Sequence, residues 1–160
     1  MLTIQVSGQG GPNPSTPGAA TSSLAVAPGK AMNIDATPYA GYSFVNWTIV
    51  SGPAIIANPS SASTTVTLTL GDATIQANFS VLLYTLTVSV SGGGTTTPAP
   101  GPMTVSYGAQ TSITATPNAG SVFVSWMVTS GTATIATPTN PTTTVTLTSG
   151  NATVQANFVP

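Results

Sequence analysis

The sequence predicts an all-β protein built as two tandem copies of one small domain, of β-sandwich or β-grasp-like type. Three observations carry that expectation. Apolar residues alternate with Thr, Ser, Gln and Asn at a period of two, the spacing of strands with one dry face. No window holds an amphipathic helical period, and the abundant Thr, Val, Pro and Gly are poor helix formers. The third observation is a self-match. ATPYAGYSFVNW at 36–47 matches ATPNAGSVFVSW at 115–126, and TTVTLTLGDATIQANF at 64–79 matches TTVTLTSGNATVQANF at 143–158. Trp47 and Trp126, and Phe79 and Phe158, are each 79 residues apart, so this part of the repeat aligns without a gap.

Taken in order, repeat one opens with a strand at Leu2–Ser7, LTIQVS, matched 84 residues later by LTVSVS. The change of offset falls in the first loop, GQGGPNPSTPGAATS against GGGTTTPAPG, which is rich in Gly and Pro in both copies and reads as a surface loop of tolerant length. A short strand is expected near Leu24–Ala27, then a Pro28-Gly29 turn and a strand at Met32–Thr37. After a turn at Pro38–Gly41 come strands at Tyr42–Val50, near Ile55 and at Thr64–Leu70. A Gly71-Asp72 turn leads to the last strand, Thr74–Val81. TVTLTL, a two-residue turn and ATIQANF form the strongest hairpin signal of the chain, repeated around Gly150-Asn151.

Between the repeats, Ile75, Ala77, Phe79, Val81 and Leu83 hold odd numbers, whereas Leu86, Val88 and Val90 hold even ones. A slip of one residue turns every side chain over, so a bulge or a corner is expected between Leu83 and Tyr84. The expected organisation is residues 1–80 as the first domain, 81–85 as an apolar joint and 86–160 as the second domain. Phe79, Val81, Leu82, Leu83 and Tyr84 form that joint, and because it is apolar where a free linker would be polar, the repeats are expected to pack together.

Only 2% of the 160 residues are charged, namely Lys30, Asp35 and Asp72; Glu, Arg, His and Cys are absent. Soluble domains carry about a quarter of their residues charged, and net charge keeps copies apart. This chain is solvated instead by hydroxyls, since Ser and Thr make up roughly three residues in ten. A formal charge of −1 offers no field for nucleic acid, and no apolar run is long enough for membrane insertion. Met1 runs at once into the strand pattern, with neither the charged nor the apolar part of an export signal, so a surface placement would need the signal to lie outside this chain.

Catalysis has few reagents here. A hydroxyl nucleophile needs a base, and neither His nor Glu is present, so the chain is expected not to be an enzyme and to hold no cofactor. Two scattered Asp are too few oxygens for calcium. A Lys-to-Asn isopeptide through Lys30 could exist in one repeat only, because Ala109 and Thr114 stand where repeat one has Lys30 and Asp35.

The large side chains are expected to be core anchors: Phe44 and Trp47 in repeat one, Phe123 and Trp126 in repeat two. Burial of each Trp is worth about 4–6 kcal/mol before costs. Tyr39 and Tyr42, replaced by Asn118 and Ser121 in the second copy, are the better candidates for an exposed contact with sugar. Sequons mark Asn46, Asn78 and Asn151 as candidate glycosylation sites, and Thr95, Thr96 and Thr97 are candidates for O-linked sugar.

GYSFVNW, TVTLT and ATIQANF in the first copy, and YTLTVSVSGGG, VFVSW and ATVQANF in the second, resemble the divergent internalin-type B-repeat family of bacterial surface proteins. The resemblance covers nearly all of both repeats. It implies a small all-β module strung in tandem on extracellular proteins as stalk, spacer or adhesive element, without catalytic residues. The acidic, Gly-Asp-rich loop usual after the Trp is replaced by VSGPAIIANPSS and VTSGTATIATPTN, which removes support for an ion-dependent role.

Two small units gain stability by stacking, and arrays usually hold three or more. The expected function is therefore a structural subunit of an extracellular bacterial filament or surface fibre, a homopolymer joined head to tail with covalent glycans as candidate decoration. Met1, Leu2, Ile4 and Val6 of one copy would meet Phe158, Val159 and Pro160 of the next, by strand pairing or strand donation. The alternative expectation is a carbohydrate- or cell-surface-binding or spacer module of a larger adhesin or secreted enzyme.

Overall fold

A computed structural model describes residues 1–8, 10–13 and 21–160. Within the first loop of repeat one, Gln9 and residues 14–20 lie outside the described residues. The chain divides into two compact units, Met1–Val81 and Leu82–Pro160. Among the described residues there is no helix, and each unit is two four-stranded sheets facing each other across one core. The sandwich half of the expectation is the one realised.

Unit one contains β1 (Leu2–Ser7), β2 (Gly10–Asn13), β3 (Thr21–Leu24), β4 (Ala31–Pro38), β5 (Tyr42–Ser51), β6 (Ala54–Ile56), β7 (Ser63–Leu68) and β8 (Ala73–Val81). Its front sheet has the order β3-β1-β8-β5 and its back sheet β2-β4-β7-β6. Unit two repeats this with β9 (Leu83–Ser91), β10 (Gly94–Thr97), β11 (Gly101–Ser106), β12 (Thr111–Pro117), β13 (Val122–Gly131), β14 (Thr134–Ile135), β15 (Thr142–Thr146) and β16 (Ala152–Val159). The corresponding orders are β11-β9-β16-β13 and β10-β12-β15-β14.

The first and last strands of each unit run side by side and parallel, Leu2 opposite Ala73 and Leu86 opposite Ala152. Almost every connection carries the chain from one sheet to the other; in each unit only β6 to β7, or β14 to β15, stays within a sheet. This overturns the strongest hairpin expected from sequence. β7 and β8 belong to different sheets, joined by a corner at Thr69–Asp72, and β15 and β16 repeat the arrangement. Alternation shows that a strand has one dry face and Gly-Asp shows that the chain reverses, but neither says which strand lies alongside. Here β8 has β1 on one edge and β5 on the other, so β7 turns its Val66 and Leu68 across the core toward Ile75 and Ala77.

Two further expectations shift. The first loop is no mere loop, because β2 and β10 within it pair with β4 and β12 in the back sheets. The short strand placed at Leu24–Ala27 is Thr21–Leu24, antiparallel to β1.

The cores are small and separate. Leu2, Ile4, Trp47, Ala73, Ile75, Ala77 and Phe79 from the front sheet meet Ile34, Ala36, Val66 and Leu68 from the back. Leu86, Val88, Trp126, Val154 and Phe158 meet Val105, Ile113, Val145 and Leu147 in unit two. Trp47 and Trp126 are each 2% exposed, with Phe44 and Phe123 half-buried against them at ring-centroid distances of 5.9 and 6.0 Å. No buried side-chain polar atom among the described residues lacks a partner.

Candidate functional site

Parity decides what each unit can offer to a partner. Leu2 and Ile4 sit in the core on the inward face of β1, and Phe158 is inward on β16. They are therefore not available for assembly as the sequence pattern suggested, and Val6 is half-buried against the same core. Of the residues expected to join copies, Met1, Val159 and Pro160 are exposed. Strand donation meets a related obstacle: β1 and β9 already pair on both sides within their own sheets.

The open edges of the sheets are guarded. β5 and β13 are the longest edge strands, and each carries two register breaks, at Val45 and Val50 in β5 and at Val124 and Thr129 in β13. Bulges twist an edge away from straight pairing. A loop also bonds to each edge in mid-strand. The Trp47 backbone N–H donates to the Pro59 carbonyl and that of Trp126 to the Pro138 carbonyl, both at 2.8 Å. The indole N–H groups donate to the carbonyls of Ala62 (3.3 Å) and Pro141 (3.1 Å), which also accept from Ala36 and Ala115. The other edges hold prolines or are short: Pro12 lies in β2 and Pro102 in β11, while β6 and β14 have three and two residues.

The outward faces are neutral. In unit one, Asn78 Nδ2 donates to Asn46 Oδ1 at 2.8 Å and Thr48 Oγ1 at 3.1 Å, while Gln76 Nε2 donates to Asn78 Oδ1 at 2.6 Å. Asn46 and Asn78 are thus half-buried members of one network. Asn151 lies exposed in the corner before β16 and accepts from the Thr85 N–H at 2.8 Å. A polar depression of about 220 Å³ beside it is lined by Thr85, Thr87, Ser130 and Thr153. Among the candidates for O-linked sugar, Thr95 and Thr97 are exposed. Thr96 is a correction: 8% exposed, it points inward and donates to the Pro98 carbonyl at 2.8 Å.

Ionisable groups converge nowhere among the described residues, and no group of three metal-ligating side chains forms there. Asp35 is on β4, Lys30 lies exposed ahead of it, and Asp72 is paired with the amino group of Met1. In the joint, Phe79 belongs to the first core. Tyr84 leans on Tyr107 in the second unit at 6.4 Å, and Val81 and Leu83 are exposed. The parity change falls at Leu82, where β8 has ended and β9 not yet begun, and β9 starts three residues ahead of the expected Leu86 because Leu83–Thr85 pair with Thr104–Ser106.

Compared with protein families, residues 12–81 and 84–160 each match the divergent InlB B-repeat domain. The chain belongs to that family. It is a tandem pair of B-repeat units, modules of bacterial surface proteins. No curated protein and no solved structure matches the chain. In these B-repeat units the F-x-x-W step brings Phe and Trp together under the guarded edge, and the closing ANF brings its Phe against the same Phe, with ring centroids 5.9 and 5.7 Å apart. What sequence reasoning missed is that aliphatic side chains stand exposed on the long edge strand of both units, Val45, Ile49 and Val50 in the first and Val122, Val124 and Met127 in the second, and at Leu70. For Leu70 and Val122 the signal was present in the aligned repeats, where Ser149 and Ser43 stand at their positions.

Proposed function

We propose that the chain is a non-catalytic structural subunit of an extracellular bacterial fibre, with copies joined head to tail. One observation carries the reading: each unit is internally complete, yet aliphatic side chains stand exposed in a chain with three charged side chains. Apolar area is drawn together by about 25 cal/mol per Å², and charge repulsion to oppose this is almost missing. The guarded edges favour joining through side chains at the outward faces over strand exchange or sheet extension.

Sedimentation velocity across a hundredfold range of concentration, with negative-stain images of the same samples, tests this. Species that lengthen with concentration are the expected result. A single monomer boundary throughout, with monomers alone on the grid, would end the fibre reading.

A second reading has its own observation. Tyr39 is exposed at the turn before β5 with Tyr42 half-buried beside it, and unit two has Asn118 and Ser121 in their place. It makes the chain a carbohydrate- or cell-surface-binding or spacer module of a larger adhesin or secreted enzyme. Glycan binding that disappears with Tyr39→Ala in a monomeric protein would favour it.

A further inference from the structure

The chain enters and leaves each B-repeat unit through the middle of a sheet. In the order β3-β1-β8-β5 the first and last strands of unit one are the two inner strands, and in β11-β9-β16-β13 the same holds for unit two. Each has a hydrogen-bonded neighbour on both sides, so neither can be stripped from a free edge. They pair with one another in parallel, Leu2–Ser7 on Ala73–Asn78 and Leu86–Ser91 on Ala152–Asn157, six residue pairs in each unit.

Parallel pairing fixes how a pull acts. The N-terminal ends of both strands lie at one end of the ladder, so the chain enters the unit there and leaves it at the other. Tension along the chain therefore draws the two strands past each other along their own axes. All six pairs resist together, whereas a ladder pulled apart from one end yields one pair at a time. Sliding would also drag Leu86 and Val88 past Ala152 and Val154, all of them buried in the second core. Side chains strengthen the same joint: Asn151 Oδ1 accepts from the Thr85 N–H beside the first rung, and Ser89 Oγ donates to the Val154 carbonyl at 3.1 Å in mid-ladder. Along the chain the two ladders stand in series, since β8 ends at Val81 and β9 begins at Leu83 with Leu82 alone between them.

We infer that the units are tension-bearing elements, in which the ladder between first and last strand is a shear clamp that holds each unit closed when load is applied through its ends. The inference goes beyond the manner in which copies join. A fibre subunit and a spacer in a larger surface protein both carry load along the chain, and the clamp serves either.

Single-molecule force measurements test it. The chain has no cysteine, so paired handles can be placed at exposed positions of unit two. Leu83→Cys with Pro160→Cys loads the ladder along its strands. Leu83→Cys with Ser149→Cys pulls on the same end of both strands and opens the ladder rung by rung. Forced unfolding reports the barrier to opening, so at one loading rate the first pair of handles is expected to give a single rupture at several-fold higher force than the second. Only folded molecules give a rupture with the full gain in length, so the comparison holds for whatever fraction of each variant folds. Equal forces in the two geometries would overturn the clamp, as would gradual lengthening of the first variant without a rupture.

Pulling the otherwise unaltered chain from cysteines added at its two ends is an independent reading. Two separate ruptures are expected, one for each unit, both at the higher force. Opening of either unit at the force of the Leu83 and Ser149 geometry would overturn the inference for that unit, while the fibre and spacer readings would both stand.

Discussion

The backbone N–H of Thr85 donates to Oδ1 of Asn151 across 2.8 Å, and at the corresponding place in unit one the Asp72 carboxylate is ion-paired with the amino group of Met1. Met1 stands just ahead of β1, and Thr85 lies within β9 just ahead of Leu86, its first core residue; Asp72 and Asn151 stand just ahead of β8 and β16. One acceptor per unit thus fastens the start of the parallel ladder that binds first strand to last. Parallel neighbours cannot be joined by a tight turn, and in these units most of the domain lies between them. A side-chain clasp at the first rung sets their register where no connection can.

Asn151→Ala removes that acceptor and should cost about 1 kcal/mol, the usual net value of one hydrogen bond. Asn151→Asp keeps the acceptor and should recover most of the loss. Urea unfolding gives the magnitude, and hydrogen exchange gives the location: the Thr85 amide should lose protection in the Ala variant while the Val154 amide in mid-ladder keeps it. Equal loss at both amides would show that the clasp does not set this end of the ladder.

Gly92 ends the first strand of unit two at a φ of +88°, with a Cβ position that falls within the contact distance of the Phe158 carbonyl; Gly8 stands likewise against Phe79 at +92°. These are the points at which the chain leaves the front sheet for the back. Gly108 also has a positive φ, +69°, but opens onto free space. Gly108→Ala should therefore cost about 1 kcal/mol of backbone strain, and Gly92→Ala about 3 kcal/mol once a backbone clash is added. Thermal or urea unfolding of the two variants side by side checks the ranking, and equal losses would mean that the carbonyl simply moves aside.

How much of this could be read in the sequence depends on the range of the interaction. Strand existence was legible almost residue by residue at Leu2–Ser7, because burial against a core imposes period two locally; Tyr42–Val50 was legible from its aromatic and β-branched residues, although the bulge at Val45 sets Phe44 and Trp47 three residues apart. The core position of Trp47 and Trp126 followed from size in a chain with few large side chains. Strand neighbours were not legible. TVTLTLGDATIQANF has the same pattern whether it folds back within a sheet or turns a corner across the core, and only the entry of β1 beside β8, some 70 residues away in sequence, decides between them. Gly94–Thr97 hid for another reason: a four-residue strand amid Gly and Pro has almost no period to detect. The assembly residues failed on parity, since Leu2, Ile4 and Phe158 look adhesive as letters and are already enclosed by their own unit.

Trp126 links three parts of unit two. Its ring lies in the core, its indole N–H reaches the Pro141 carbonyl, and its backbone N–H holds Pro138 over the edge of β13. Trp126→Ala should destabilise the second unit by about 3–5 kcal/mol, the range for emptying an aromatic site in a core. The two cores share no residue, so the first unit should keep its own transition. Followed by Trp47 fluorescence and by circular dichroism, the variant should unfold in two steps, the earlier one silent in fluorescence. A single step seen by both probes would mean that the units unfold as one body.

The three sequons are not equivalent as acceptors of N-linked sugar, which attaches to the side-chain nitrogen. In Asn78 that nitrogen already donates to Asn46 Oδ1 and Thr48 Oγ1 on a half-buried face, so a sugar there would take one of its two donor hydrogens and crowd the network that Asn46 belongs to. Asn151 is exposed, and its clasp uses the oxygen. Its nitrogen can be substituted while Oδ1 still accepts from Thr85. Expression in a host that modifies N-x-S/T sites should therefore yield sugar at Asn151 and none at Asn46 or Asn78, as read by peptide mapping with mass spectrometry. Occupancy at Asn78 with an unmodified Asn151 would mean that modification precedes formation of the front sheet.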